Sequence, residues 1–195
     1  MKIGVLALQG DFIEHVHMLE RLGVDAVEVR LPEQLEDLDG LIIPGGESTT
    51  IGKLAVDYGL VEPMRSFVQS KPAWGTCAGM IFLARNVGMD QPLLGVMDIT
   101  VDRNAFGRQV DSFEQDIYVK HMGDEPYHAV FIRAPLVKHV DNEEDVEVLA
   151  TLEDGRIVAV RQGHLLATSF HPELTDDDRL HRFFIKMAGN GHKQS

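Results

Sequence analysis

The chain has 195 residues, 44% of them hydrophobic and 25% charged, a composition that suits one globular domain burying about 70% of its unfolded surface. Its 31 acidic and 18 basic residues give a formal net charge of −13, which argues against a nucleic-acid partner, because such binding rests on neutralising phosphates. A single cysteine excludes an intramolecular disulfide and fits a reducing compartment, so a cytoplasmic location is expected, and no apolar run approaches the roughly 18 residues of a membrane span.

The first eight residues resemble the start of a signal peptide. The apolar run ends at Gln9-Gly10-Asp11 without a small-residue cleavage site, so residues 2–9 read as a buried strand. A helix is expected over about 12–22, stopped by Gly23. His15 and His17 stand two apart on it and point to different faces, so they do not chelate together. They read as solvated or locally bonded. Residues 26–30 and Gly40–Ile43 read as strands, with the polar stretch 32–37 between them.

Pro44-Gly45-Gly46-Glu47-Ser48-Thr49-Thr50 follows. It is no phosphate loop: Glu47 stands where that pattern needs glycine, and Leu54 follows Lys53 where Ser or Thr would hold magnesium. It reads either as a turn of exposed amides fit to stabilise an oxyanion or as a plain capped turn. A helix would open from about Thr49, with Ser48 or Thr49 as cap.

Pro72-Ala73-Trp74-Gly75-Thr76-Cys77-Ala78-Gly79-Met80 places the lone cysteine between two glycines. An apolar extended stretch precedes it and a buried helix follows. Strand, sharp turn and helix lift a nucleophile above a sheet edge, with glycines where a strained turn crowds any Cβ. The alternative is an inert buried cysteine.

Residues 95–101 and 115–120 read as strands joined by a polar excursion through 103–109. Arg103 in that excursion would clamp a carboxylate with its planar fork or simply stand in solvent. Residues 127–133, 146–151, 156–161 and 165–170 read as strands, with Asp154-Gly155 turning a hairpin between two of them. The last runs into His171-Pro172-Glu173. If 171–173 stay extended, as Pro172 encourages, His171 and Glu173 project to one side, either as general base and orienting carboxylate or as a surface pair. A closing helix is expected over about 176–187.

Short buried strands alternating with helices indicate a parallel α/β sheet, in which ligands bind beyond the carboxyl ends of strands. Gln9-Gly10, Gly45-Gly46-Glu47 and Gly75-Thr76-Cys77 are three such ends, each carrying glycine.

Gly75-Thr76-Cys77-Ala78-Gly79 together with His171-Pro172-Glu173 resembles the class I, triad-type glutamine amidotransferases. Leu8-Gln9-Gly10, the stretches 44–50 and 103–109, and Phe131-Ile132-Arg133-Ala134-Pro135 narrow the resemblance to the PdxT/SNO family, over residues 2–187. The resemblance implies an α/β fold of three layers, flavodoxin-like, with a central mostly parallel sheet flanked by helices. It implies one glutaminase domain over 1–188 and a flexible tail over 189–195.

In chemistry it implies hydrolysis of L-glutamine to L-glutamate and ammonia. Cys77 would attack the carboxamide to give a γ-glutamyl thioester, His171 would move the proton, and Glu173 would orient His171. The amides of Gly46 and Ala78 would form the oxyanion hole. Gly46, Glu47, Ser48, Arg103, Ile132 and Arg133 match the family's glutamine-binding positions, with Arg103 toward the α-carboxylate.

The implied partner is the synthase subunit of pyridoxal 5′-phosphate synthase, a barrel enzyme that receives the ammonia through an internal channel. It would combine the ammonia with ribose 5-phosphate and glyceraldehyde 3-phosphate. The family assembly is a dodecamer of synthase subunits with twelve glutaminase subunits docked around it. The resemblance also implies that docking completes the oxyanion hole, so that the glutaminase would be weak or silent alone. No metal, nucleotide or pyridoxal phosphate cofactor is implied for this chain, nor any membrane. Two other readings stand beside this one, a different thiol hydrolase of similar fold and a catalytically silent docking subunit. The Gln9-Gly10 and 103–109 stretches disfavour the first, and the full Cys77, His171 and Glu173 set disfavours the second.

Overall fold

Apolar side chains at alternate positions of short strands supply both faces of one large sheet. The computed structural model describes residues 1–103, 105 and 111–190. In chain order the elements are β1 (Lys2–Leu6), α1 (Phe12–Arg21), β2 (Asp25–Val29), a 3-10 turn (Pro32–Leu35), β3 (Gly40–Ile43), α2 (Ser48–Asp57) and α3 (Val61–Phe67). Then come β4 (Ala73–Thr76), α4 (Ala78–Leu83), β5 (Ala84–Asn86), β6 (Met97–Asp102), β7 (Ser112–Ile117) and β8 (Tyr127–Ile132). The chain continues through β9 (Leu136–Val140), β10 (Val146–Thr151), β11 (Ile157–Gln162), β12 (Leu165–Thr168), a 3-10 turn (Pro172–Leu174) and α5 (Arg179–Asn190).

The large sheet has the order β2-β1-β3-β4-β12-β11-β9-β6-β5, with β10 also on β11. From β2 to β12 every pairing is parallel, so these strands present their carboxyl ends along one edge. Beyond β12 the pairings on β11 and β9 turn antiparallel, and β7 and β8 form a separate antiparallel ribbon.

The period of two along each strand divides the core between the faces. Ile3, Val5, Ile42 and Trp74 pack with Val16 and Leu19 of α1, Phe184 of α5 and Phe131 of the ribbon. Leu6, Leu41, Ile43 and Ala73 point the other way, onto Ile51 of α2, Met64 of α3 and Phe82 of α4. The result is three layers, as expected.

Several local expectations change. Val61–Phe67, for which the sequence pattern gives no element, is helical; Pro63 falls in its first turn, where a missing N–H costs no hydrogen bond. The strand expected over 115–120 runs over Ser112–Ile117. Neither Ser48 nor Thr49 caps α2. Glu47 does, its carboxylate accepting the amides of Thr49 at 3.2 Å and Thr50 at 2.8 Å. Partial burial opposes its charge, but the hydrogen bonds from the two threonines outweigh that and bring its pKa down to about 2. At the other end α5 continues through Asn190, so residues 189 and 190 of the expected tail are helical, and 191–195 lie outside the described residues. Among the described residues no helix is long and apolar enough to cross a membrane.

Candidate active site

The loops that follow β1, β3, β4 and β12 meet at the parallel edge. Cys77 is the hinge between β4 and α4, with φ 48° and ψ −105°, a conformation that costs a non-glycine residue about 1–3 kcal/mol. Its surroundings impose it. The Cys77 amide donates to the Thr168 carbonyl at 2.8 Å, tying the elbow to the neighbouring strand. A Cβ at position 75 would stand 2.4 Å from the backbone of Gly79, and one at position 79 would stand 2.0 Å from the Ile43 carbonyl oxygen. Only glycine fits either place. The thiol is free and buried, with Sγ 3.8 Å from the Ile132 carbonyl oxygen.

His171 and Glu173 follow β12. The expected extended conformation does not hold, because Pro172–Leu174 is a 3-10 turn. That tighter path still brings His171 Nδ1 to 2.7 Å from Glu173 Oε1, with both residues buried. Burial opposes a charged imidazole, but Cys77 and Glu173 outweigh it and push the His171 pKa up to about 10. Among the described residues Nε2 has no well-aligned partner, and the Cys77 side chain raises the ring's pKa both as a hydrogen-bonding neighbour and by charge. Burial pushes the Glu173 carboxyl upward against the pull of His171.

Asp11, whose Oδ2 lies 3.5 Å from His171 Nδ1, completes a group of possible ligand atoms all within 4.8 Å of one another. Two of those atoms are already joined in the imidazole–carboxylate bond. That arrangement suits proton transfer better than metal binding.

The glycine loops lock together against this pair. Gln9 Oε1 accepts the Glu47 amide at 2.8 Å, and the Asp11 amide donates to the Gly45 carbonyl at 3.1 Å. Gly10 has φ +98°, and a Cβ there would lie 1.8 Å from the Gly45 oxygen; one at Gly45 would lie 2.5 Å from His171 Cε1. Gly46 ends this loop, and Ala78 is the first residue of α4, where amides lack an intrahelical acceptor. Amides free of an intrahelical acceptor are the kind of donor that stabilises an oxyanion.

The expected glutamine-binding residues are brought together in part. Arg103 Nη2 lies 3.4 Å from Glu47 Oε1, which joins the end of β6 to the start of α2. Ser48 is buried, its Oγ 3.5 Å from the Gln91 amide nitrogen. Ile132 reaches Cys77 through its backbone carbonyl, while Arg133, in a left-handed conformation at φ 44°, points an exposed guanidinium at Asp111. Asn104, Phe106, Gly107, Arg108 and Gln109, expected to belong to the same motif, lie outside the described residues.

His15 corrects the sequence reading. It is fully buried, with Nδ1 2.9 Å from His181 Nε2, Nε2 3.2 Å from Thr76 Oγ1 and 3.3 Å from Glu173 Oε2. Burial lowers its pKa well below the usual value, with His181 and His171 adding to the effect. Burial likewise takes His181 down to about 3, Asp178 opposing and Arg21 assisting. A sequence cue existed. His15 shares the apolar stripe of α1 with Val16, Met18 and Leu19, and a histidine in such a stripe requires a partner from elsewhere in the fold.

Comparison with known proteins places this arrangement. The description of the SNO glutamine amidotransferase family matches residues 5–190. A Moorella thermoacetica protein named pyridoxal 5′-phosphate synthase subunit PdxT is 59% identical over 191 residues, spanning 97% of this chain and 100% of that protein. A Herpetosiphon aurantiacus protein of the same name is 60% identical over 192 residues, spanning 96% and 100%. A crystal structure described as a glutamine amidotransferase superposes with a TM-score of 0.90 at 55% identity, over 96% of this chain and 98% of its own.

Proposed function

The chain belongs to the SNO glutamine amidotransferase family, and from that premise we propose that it is the glutaminase subunit of a pyridoxal 5′-phosphate synthase. The observation that carries the reading is a buried thiol at a strained elbow, beside an imidazole whose Nδ1 is held by a carboxylate at 2.7 Å.

Cys77 passes its thiol proton to His171 and, as the thiolate, attacks the carboxamide carbon of L-glutamine; the tetrahedral oxyanion is received by the amides of Gly46 and Ala78. His171, charged and oriented by Glu173, gives its Nε2 proton to the leaving nitrogen, and ammonia departs as the γ-glutamyl thioester forms. Water then attacks the thioester, His171 takes the water's proton, and L-glutamate leaves with the thiol restored. Losing one oxyanion donor from such a site costs about 3 kcal/mol of transition-state stabilisation.

Arg103 receives the substrate's α-carboxylate, its fork close to the Glu47 that caps α2. Gly46, Ser48, Ile132 and Arg133 complete the pocket. One domain over residues 1–188 carries this chemistry without a cofactor. The names of the relatives support a synthase subunit as partner, and the reading extends to a dodecamer of synthase with twelve glutaminase subunits and to ammonia passing directly between the two. The free thiol fits the reducing cytoplasm.

The test is glutamate release from glutamine with and without the cognate synthase subunit, for the wild type and Cys77→Ala. Activity should rise sharply with the partner and vanish in the variant. Activity that survives Cys77→Ala would sink the mechanism, and a wild type silent in every mixture would leave only a docking subunit.

A further inference from the structure

Beyond Glu173, on the side away from His171, lies a buried polar chain that the reaction as described leaves unused. Glu173 has two carboxylate oxygens. Oε1 accepts from His171, while Oε2 is buried and, among the described residues, without an aligned hydrogen bond. The group facing it is His15 Nε2, 3.3 Å away and shared with Thr76 Oγ1 at 3.2 Å. That approach is close enough for a bond and poorly aligned, a common state of catalytic contacts before substrate binds.

The far end of the chain decides where the protons are. Among the described residues His181 Nδ1 is buried with no partner. A ring proton stranded there would be a buried donor without an acceptor, which is costlier than a bare lone pair. His181 therefore carries its proton on Nε2 and donates it across 2.9 Å to His15 Nδ1. His15, its Nδ1 now an acceptor, holds its own proton on Nε2, aimed at Thr76 and Glu173. The reverse assignment fails twice. It strands the His181 proton and turns a lone pair of His15 against the carboxylate. Trp74 fixes both rings, with centroids 5.7 Å from His15 and 4.9 Å from His181.

We propose that His15 is a positioning residue of the catalytic triad, its Nε2–H holding the outer oxygen of Glu173 while His181 sets the tautomer that makes this possible. The proposal rests on the reading of Cys77, His171 and Glu173 as the hydrolytic machinery. With its outer oxygen held, Glu173 keeps the other oxygen directed at His171 Nδ1 as the imidazole gains and loses its proton. The two helices that contribute these histidines, α1 and α5, thereby act on a site to which neither contributes a catalytic residue.

Two measurements test it. Long-range proton–nitrogen NMR on the wild-type chain at neutral pH should show both His15 and His181 as neutral rings protonated on Nε2; a His15 protonated on Nδ1 would overturn the assignment. In the complex with the synthase subunit, His15→Phe should lower kcat for glutamine hydrolysis about 10–100-fold with KM changed less than about threefold. His15→Gln, whose amide nitrogen reaches the position of Nε2, should recover most of that loss. Equal rates in the two variants, or a wild-type kcat in His15→Phe, would refute the positioning role. Thermal unfolding of each variant separates a folding defect from a catalytic one, and should His15→Phe fail to fold, wild type against His15→Gln and the NMR tautomers decide. A wild-type complex that released no glutamate would count against the functional reading, with the NMR result still deciding the proton assignment.

Discussion

Cys77, His171 and Glu173 are 6%, 3% and 6% exposed, each tied by backbone or side-chain bonds at the ends of β4 and β12. By contrast, the side chains of Glu47 and Arg133 are 50% and 80% exposed, and Arg103 reaches Glu47 only at 3.4 Å. The first group is held by the parallel sheet and by glycines at places that admit no side chain. The second stands on loops, where recognition residues adapt at little cost to the fold. On the proposed reading, the groups of the chemistry are held in place before substrate arrives, and those of substrate recognition stand at their margin. Substitutions on the two sides should therefore act on different kinetic constants.

The largest effect expected in this comparison is at Glu173. Glu173→Gln keeps the shape but removes the charge that supports a protonated His171, and kcat should fall about 100- to 10,000-fold with KM little changed. A steady-state titration with glutamine in the synthase complex checks this, and a change confined to KM would break the distinction. Arg103→Ala should behave oppositely, raising KM about 10- to 100-fold through loss of a charge-assisted carboxylate contact while kcat stays within a few-fold. A collapse of kcat there would place Arg103 in the chemistry.

Gly45→Ala probes the boundary. Its Cβ would press within 2.5 Å of His171 Cε1, so a change outside the catalytic residues should reach kcat, by about tenfold, through displacement of the ring. Wild-type kinetics in that variant would show that the loop yields without moving the ring.

The smallest effect is on stability. His181 is buried as a neutral ring with its pKa near 3, against an ordinary 6.5. Below about pH 6.5 the unfolded chain binds a proton that the folded ring refuses. The stability associated with this group is whole above that pH and falls as the pH drops toward 3, by about 1.4 kcal/mol per unit. Urea unfolding between about pH 7 and 5 should show a shallower acid decline in His181→Phe than in the wild type. Parallel declines would contradict a neutral buried His181.

Much of the rigid side is legible in the sequence because its constraints are local. The two glycines around Cys77 announce a turn that no side chain tolerates, and Asp154-Gly155 marks a hairpin that the structure contains, with Gly155 at φ +84°. His171 and Glu173 do end on the same side, but through a 3-10 turn rather than an extended strand, since Pro172 is equally at home in the first position of such a turn. What the sequence conceals is non-local. His15 and His181 are 166 residues apart, and only the packing of α1 and α5 on one face of the sheet brings them to Glu173. Weighing His15 only against His17, and finding no chelating pair, misses the informative neighbours, the apolar residues on its own stripe. The cap of α2 is concealed for a different reason: Ser48 and Thr49 both suit the role, and Glu47 takes it with a longer side chain that also reaches Arg103.

The central claim is that Cys77 carries the glutamyl group. The most direct measurement is rapid acid quenching of the synthase complex during turnover of labelled glutamine, followed by peptide mapping. One γ-glutamyl group is expected, bound as a thioester to the peptide containing Cys77 and removed by hydroxylamine. Label on another residue, or turnover with no label on Cys77 at the earliest quench times, would contradict it.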